Sequence, residues 1–540
     1  MPQPSKILVI NLTRMGDIIQ TIPFVRRLRI KHPDAEIHML VEGCFADVAG
    51  LVSGVDKLHT VTLEELLPCL AAGKHSNLAQ ALATYCKFVA SLRSEEFCEV
   101  WNLTHTRPSM VLNCLLAGEQ GRGVTLDREG LQRVNSPWLT YFFATNLARP
   151  WCQFNLVDIY ANCVDGVDWT AGRDIHFASV PKGDHPQQDT SPIWIAIHAG
   201  ASQQAKQWPV ESYRAVAQQL TRHDNIGIVL VGSRRDAALA RAFDGIPRVR
   251  DLIGKTSVPQ LAELLSHCRL ILSNDSGPMH IAAAVGTRVL DITVGSALAS
   301  ETAPYGEGHL VVEADSDCFP CSPSGTCAAQ HCAARISAET ISALSEWELG
   351  LRPALAPDEL GGCCIYRTRF SQADGLLELE RLFSRITCLR DEINAAMRPA
   401  WLAALEGKGV TSSDASHPLP QDLIATASRA ADVSSQIADL AGQIARFAKE
   451  PECGLEAVER WGRAVQEQET VLRVLLNRHG LLRSLLAFTE IGRASLSASG
   501  LEQQALETVG IYRRLNTLLT SLSAAIDSQD AKQVTHIALN

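Results

Sequence analysis

The sequence predicts an α/β protein of two Rossmann-like domains followed by an α-helical C-terminal domain. Three observations predict it. A strand, a helix and a second strand succeed one another within about 40 residues at the start, the signature of a parallel βαβ unit. The alternation restarts at residue 193, after a polar stretch. Past residue 350 the strand signals fade, and Ala, Leu, Glu, Arg and Gln recur at helical spacing.

KILVINL (6–12) is a continuous apolar, β-branched run, as expected of a buried strand. TRMGD (13–17) is its loop, IIQTIPFVRRLRIKHP (18–33) a helix stopped by Pro33, and EIHMLVE (36–42) the second strand. CEVWNLT (98–104) reads as a strand and SMVLNCLLAG (109–118) as a helix. These place a first domain at 1–180. PKGDHPQQDTSP (181–192) is a linker. A second domain at 193–350 follows. Its strands are IWIAIHAG (193–200), IGIVLVGS (226–233), RLILSND (269–275) and RVLDITVG (288–295). Its helices are ESYRAVAQQLTRH (211–223), VPQLAELLSHC (258–268) and GPMHIAAAVG (277–286). A helical extension occupies 370–540. LLELERLFSRITCLRDEI (376–393) reads as an amphipathic helix, 407–420 as a polar break, and 434–450 and 458–488 as arms of a hairpin or bundle.

The 540 residues suit three or four domains. A composition of 46% hydrophobic and 20% charged residues suffices for several cores. The formal net charge of −10 carries no whole-chain footprint for nucleic acid. The opening apolar run is too short for a secretory signal, and no run approaches the roughly 18 apolar residues of a membrane span. These features read as a cytoplasmic protein, with peripheral association at the inner membrane as the nearest membrane role. No G-x-G-x-x-G follows the first strand, so a dinucleotide fingerprint is absent.

In doubly wound sheets ligands sit at the carboxyl ends of the strands, so the loops directly after strands matter. In the first, Arg14 and Gly16 precede Asp17. Asp17 is either an N-cap carboxylate or a general base facing a cleft. The second loop, AGASQQAKQWP (199–209), contains Gly200, Ser202 and Lys206. Small residues and an ammonium suit a diphosphate, although a solvated lysine is the usual alternative. The third, SNDSGPMH (273–280), joins a strand to a helix start. Asn274, Asp275, Ser276, Gly277, Pro278 and His280 are candidates there, because free N–H groups at a helix start hold anions. His280 and Asp275 each have a local packing or capping alternative. No metal-binding D-x-D triad stands out, so a lysine and a helix start would have to stabilise a leaving diphosphate.

Together KILVINLTRMGDIIQTIPFVRRLRIKHP, IHAGASQQAKQWP and LLSHCRLILSNDSGPMHIAAAVGTRVL resemble glycosyltransferase family nine, the ADP-heptose:lipopolysaccharide heptosyltransferases, over roughly residues 5–345. The resemblance implies a GT-B fold, an inverting mechanism without a required cofactor, and an ADP-sugar donor, heptose by the family's habit. By it Asp17 is the base, Lys206 the donor-phosphate contact, and Ser276 to Pro278 the phosphate-binding helix start, with Asp275 and His280 nearby. Asp251 falls near the family's nucleoside contact. The acceptor is a saccharide, the lipopolysaccharide core or a protein. Alternatives are a UDP- or GDP-sugar transferase acting on protein, and a silent nucleotide-sugar-binding scaffold. The helical extension departs from the family pattern and reads as a bundle core, an oligomer seam or a protein-partner platform.

Cys318, Cys321, Cys327 and Cys332 fall within fifteen residues, beside His331. Four soft donors in a short loop suit structural zinc or iron. A disulfide and plain free thiols are the alternatives. A related branch, the autotransporter heptosyltransferases, has a similar cluster that holds iron.

Overall fold

The computed structural model describes residues 5–62, 78–146, 149–168, 170–177, 179–180, 192–316, 318–321, 327, 331–383, 389–406, 421–449, 455–496 and 500–524. The linker at 181–191 and the break at 407–420 lie outside them. The chain forms two compact units, one of Met1–Arg122 with Phe154–Arg385, the other of Gly123–Gln153 with Ile386–Asn540.

The first unit contains two sheets. In one, β1 (Lys6–Ile10), β2 (Glu36–Glu42), β3 (Lys57–Val61) and β4 (Glu99–Asn102) lie parallel in the order β3-β2-β1-β4. Leu8, Val9 and Ile10 are fully buried. The β1 run is apolar throughout because helices cover both faces of such a sheet. Each buried aliphatic side chain contributes about 1.5–3 kcal/mol. A short hairpin, β5 (Arg122–Leu126) with β6 (Gln132–Val134), follows in sequence.

The second sheet runs β14-β13-β12-β11-β10-β7-β8-β9. Its strands are β7 (Ile193–His198), β8 (Ile226–Leu230), β9 (Val249–Asp251), β10 (Leu270–Asn274), β11 (Arg288–Thr293), β12 (Leu310–Ala314), β13 (Cys363–Phe370) and β14 (Leu377–Leu382). From β12 to β9 all pairings are parallel. The helix Leu156–Ala161 ties back to this half. Asn155 Nδ2 donates to Ala303 O at 3.1 Å. Asp158 accepts from Tyr305 Oη at 2.6 Å and from Leu377 N at 2.9 Å.

Two expectations are corrected. Strands do not end near residue 350, since β13 and β14 pair antiparallel to extend the sheet. The supposed helix 376–393 begins as strand β14, and a helix starts only at Leu389. In LELERL, Leu377 and Leu379 alternate with period two while Leu379 and Leu382 keep helical spacing. Cross-strand pairing decides: Arg369 sits opposite Glu378, and its guanidinium meets Glu378 at 2.6 Å and Glu380 at 3.2 Å.

The second unit is a helical bundle. The first arm extends over Gln421–Phe447. The second is two helices, Leu455–Leu476 and Gly480–Ala494, broken where His479 turns extended (φ −130°). Ser434 Oγ donates to Tyr512 O at 2.7 Å and Asn516 Nδ2 to Ala431 O at 2.8 Å, locking Leu501–Ala524 against the first arm. The helix Pro137–Asn146 belongs here too. Trp401, fully buried, packs edge-on against Tyr141 (4.8 Å) and Phe488 (5.3 Å).

Candidate active site

The loops after β1 and β10 meet. A Cβ built on Gly16 would lie 2.8 Å from His280 Cδ2, and one on Gly277 2.9 Å from Met15 Sδ. Gly16 is needed for this approach of the two helix starts, since the ring it meets is buried, whereas at Gly277 the flexible Met15 tip could move aside. Asp17 lies in the first turn of Met15–Gln20, but the N-cap is Arg14. The capping interpretation of Asp17 therefore fails. Its carboxylate instead accepts from Thr13 Oγ1 at 2.7 Å. Burial pushes its pKa above the ordinary carboxylate value. The Thr13 hydrogen bond and the Arg14 charge pull it back, Asp275 pushes it up, and Lys206 pulls it down. Arg14 is exposed at the loop's edge.

Lys206 ends a short turn, Gln204–Lys206, and its Nζ meets Asp275 Oδ2 at 2.9 Å in a nearly buried ion pair. Burial opposes the charge on Asp275, yet the Lys206 charge and its hydrogen bond hold the carboxyl below the usual range. His280 Nε2 lies 3.9 Å from Asp275 Oδ1. Burial lowers the His280 pKa against the pull of Asp275, which favours the neutral imidazole.

Ser276 is the N-cap of Gly277–Ala284, extended at φ −160°, and its side chain does not cap the helix. Pro278 opens the first turn, where a missing N–H costs nothing. The Ser276 hydroxyl lies 2.9 Å from His198 Nδ1 and 3.0 Å from Ser273 Oγ. His198, pushed down to about 4 by burial, is a neutral acceptor for it. Asn274 joins the two donor-side loops. Its Oδ1 accepts from Trp208 N at 2.9 Å, and its Nδ2 donates to Ala199 O and Gly200 O at 3.1 and 3.0 Å. Gly200 is required because a Cβ there would lie 2.3 Å from Asp236 Oδ1, and Asp236 is itself held by Ser233 N and Oγ.

The structure thus gathers Asp17, Gly16, Lys206, Asn274, Asp275, Ser276, Gly277 and His280. Ser202 is exposed beyond the turn. Asp251 pairs with Lys255 at 2.7 Å on an exposed surface. Sequence reading missed Thr13, His198 and Asp236. Thr13 and His198 stood inside the quoted loops, but their bonds are made through the fold. It also missed Asp291 on β11, opposite Ser273. Asp291 is buried, its Oδ1 lacks a hydrogen-bond partner, and burial raises its pKa well above the usual value, with Asp275 adding to the rise.

Gly295 supports the Lys206 turn. It adopts φ +65°, and a Cβ there would lie 2.0 Å from Ala205 O. We expect Gly295→Ala to cost about 1–3 kcal/mol of stability and to weaken nucleotide binding, because the carbonyl it strikes precedes Lys206. Urea unfolding and calorimetry on the same variant check this; unchanged binding would show that the turn does not set Lys206.

Cys318 is exposed, Cys321 and Cys327 are half-buried and Cys332 is buried. Burial raises the Cys321 thiol, and Cys332, Cys327 and Cys318 add to that. The four therefore share a neighbourhood and the donor chemistry suits zinc or iron. The segment is tied to the Gly295 turn: Cys321 N donates to Gly295 O at 2.8 Å, and Gly295 N approaches Cys332 Sγ at 3.4 Å.

Residues 175–331 match the family model described as glycosyltransferase family 9 (heptosyltransferase). Lipooligosaccharide heptosyltransferase 2 of Campylobacter jejuni is 27% identical over 143 residues, 25% of this chain and 44% of that one. Lipopolysaccharide heptosyltransferase 3 of Escherichia coli is 24% identical over 289 residues, 51% of this chain and 80% of that one. The chain thus spans under half the length of the first relative and four-fifths of the second. Among solved structures, the family 9 glycosyl transferase from Veillonella parvula superposes with a TM-score of 0.50 at 19% identity, covering 65% of this chain and 99% of that one. The chain is therefore heptosyltransferase-like: it carries the glycosyltransferase family 9 domain at residues 175–331, on the two-sheet fold of that family.

Proposed function

We propose that the protein is an inverting glycosyltransferase that moves a sugar from an ADP-activated donor, heptose in the first instance, to a hydroxyl of a saccharide or protein acceptor. The observation that carries this is a contact: the Gly16 turn that bears Asp17, after β1, packs against His280 in the helix start after β10, where Lys206 pairs with Asp275. A base from the first sheet and an anion site from the second are thereby neighbours. Asp17 takes the acceptor proton as the oxygen attacks the anomeric carbon. The bond to the diphosphate breaks on the opposite face, inverting the centre. Lys206, shared with Asp275, and the helix start at Gly277 meet the charge that develops on the leaving group. His280, neutral beside Asp275, keeps that carboxylate oriented. The heptose and the lipopolysaccharide acceptor rest on the relatives' names and the loop resemblance. The cysteine segment is taken as a structural brace for the Gly295 turn, with zinc or iron as its candidate ion. The helical unit, with Val471, Val474, Leu501 and Leu506 exposed, is taken as a partner-binding region.

The test is donor binding by calorimetry with ADP, UDP and GDP. Loss of a charge-assisted contact costs about 1.5–3 kcal/mol, so Lys206→Ala is expected to weaken ADP roughly 10–100-fold. Binding of another nucleotide alone would overturn the donor. Binding of none would overturn the nucleotide-sugar site itself.

A further inference from the structure

The first sheet carries a second cluster, at the strands' amino ends and so on the edge opposite Asp17. His38 on β2, His59 on β3 and Glu95 in the turn before β4 each offer one ligand atom, all within 4.8 Å of one another. His38 Nδ1 and His59 Nε2 are 3.0 Å apart. Two nitrogens bound tetrahedrally to zinc at about 2.0–2.1 Å lie roughly 3.3 Å apart. We propose that His38 Nδ1, His59 Nε2 and a Glu95 oxygen form a binding site for zinc or a similar imidazole-preferring divalent ion.

Three features support it. His38 is fully buried, and its Nε2 has no hydrogen-bond partner although Glu36 Oε2 stands 3.6 Å away. If Nδ1–H donates to His59, a bare Nε2 lone pair faces that carboxylate. With a metal on Nδ1, the tautomer reverses and Nε2–H points at Glu36, the outer-shell arrangement that orients metal-bound imidazoles. His38 Nδ1 and His59 Nε2 share one proton at most across their 3.0 Å gap, so a lone pair already lies between the rings where an ion would sit. The ring of Phe97 packs edge-on against both, fixing their planes.

Glu95 also pairs with Lys6 at 2.7 Å and with Lys57, one lysine on each oxygen. These leave two of the carboxylate's four lone-pair positions and hold it ionised, at a pKa of about 2. Two ammoniums nearby weaken any dication, so the site favours an ion drawn by imidazole nitrogen over magnesium or calcium. Its place suggests bracing β2, β3 and β4 rather than chemistry, and it is independent of the transferase reading.

The test uses the full chain, stripped by chelator and dialysed, with zinc titrated against a chromophoric competitor and cobalt as the spectroscopic probe. Wild type is expected to bind one equivalent that His59→Gln loses or binds at least tenfold more weakly; Glu36→Gln should weaken it about tenfold. His38→Gln serves as the second ligand variant, and ADP binding reports that each variant is folded. Cobalt bound here shows visible d–d bands without thiolate charge transfer, which distinguishes it from the Cys318 cluster. Equal zinc affinity and stoichiometry in wild type, His59→Gln and His38→Gln would overturn the proposal, as would a cobalt spectrum showing sulfur ligation alone.

Discussion

Asp17→Asn is expected to lower kcat by roughly 10²–10⁴-fold, the usual worth of a positioned base, with ADP affinity left almost unchanged. Asparagine keeps the shape and can still pair with Thr13, so a packing role would survive the change. The pH profile gives an independent reading. The base must be ionised, and burial raises its pKa above the ordinary value. kcat/KM should therefore fall as pH drops through a point above the roughly 3.9 of a free aspartate. Thr13 Oγ1 donates to the ionised form, so Thr13→Val should move that acid limb to higher pH. A limb that stays put, together with full turnover in Asp17→Asn, would remove Asp17 from the chemistry.

The second large effect is acid destabilisation of the unit that holds both sheets. Burial holds His309 at about 3 and His105 at about 4. His309 Nδ1 accepts from Val289 N at 3.2 Å, which requires a bare lone pair. Both folded pKa values lie below the roughly 6.5 of an unfolded histidine. As pH falls below 6.5 the unfolded chain binds protons that the fold refuses, so stability is lost. Each histidine costs about 1.4 kcal/mol per pH unit, or on the order of 2 kcal/mol by pH 5. Asp17 and Asp291, whose pKa values are raised, act in the opposite sense, so the decisive quantity is a difference between variants. Urea unfolding at pH 7.5, 6 and 5 should show a slope shallower by about 1.4 kcal/mol per pH unit in His309→Gln. Parallel pH dependences in the two proteins would refute the assignment.

What the sequence made legible follows from how local each signal was. Parallel strands such as KILVI and LILSN announce themselves by unbroken apolar runs. The loops bearing Asp17, Lys206 and Asp275 were found because each comes directly after such a run. The Ser276–His198 contact, the Asp236 carboxylate under Gly200 and the buried Asp291 depend on neighbours 78, 36 and 18 residues away, and no local pattern records them. LELERL misled because six residues satisfy two periods at once. The helix Pro137–Asn146 left no local sign of where it packs. Its aromatic Tyr141 finds Trp401, a partner far down the chain that no nearby residue foretells.

The missing side chain at Gly16 has a consequence for heredity. The space a methyl group would need at position 16 is filled by the ring at position 280, so position 16 cannot gain a side chain while that ring stays. Lineages descending from this protein should gain a side chain at 16 only after or together with a smaller residue at 280. A library randomising position 16 alone should yield few working members. One that varies 16 and 280 jointly should recover combinations in which a small residue at 280 makes room for a larger one at 16.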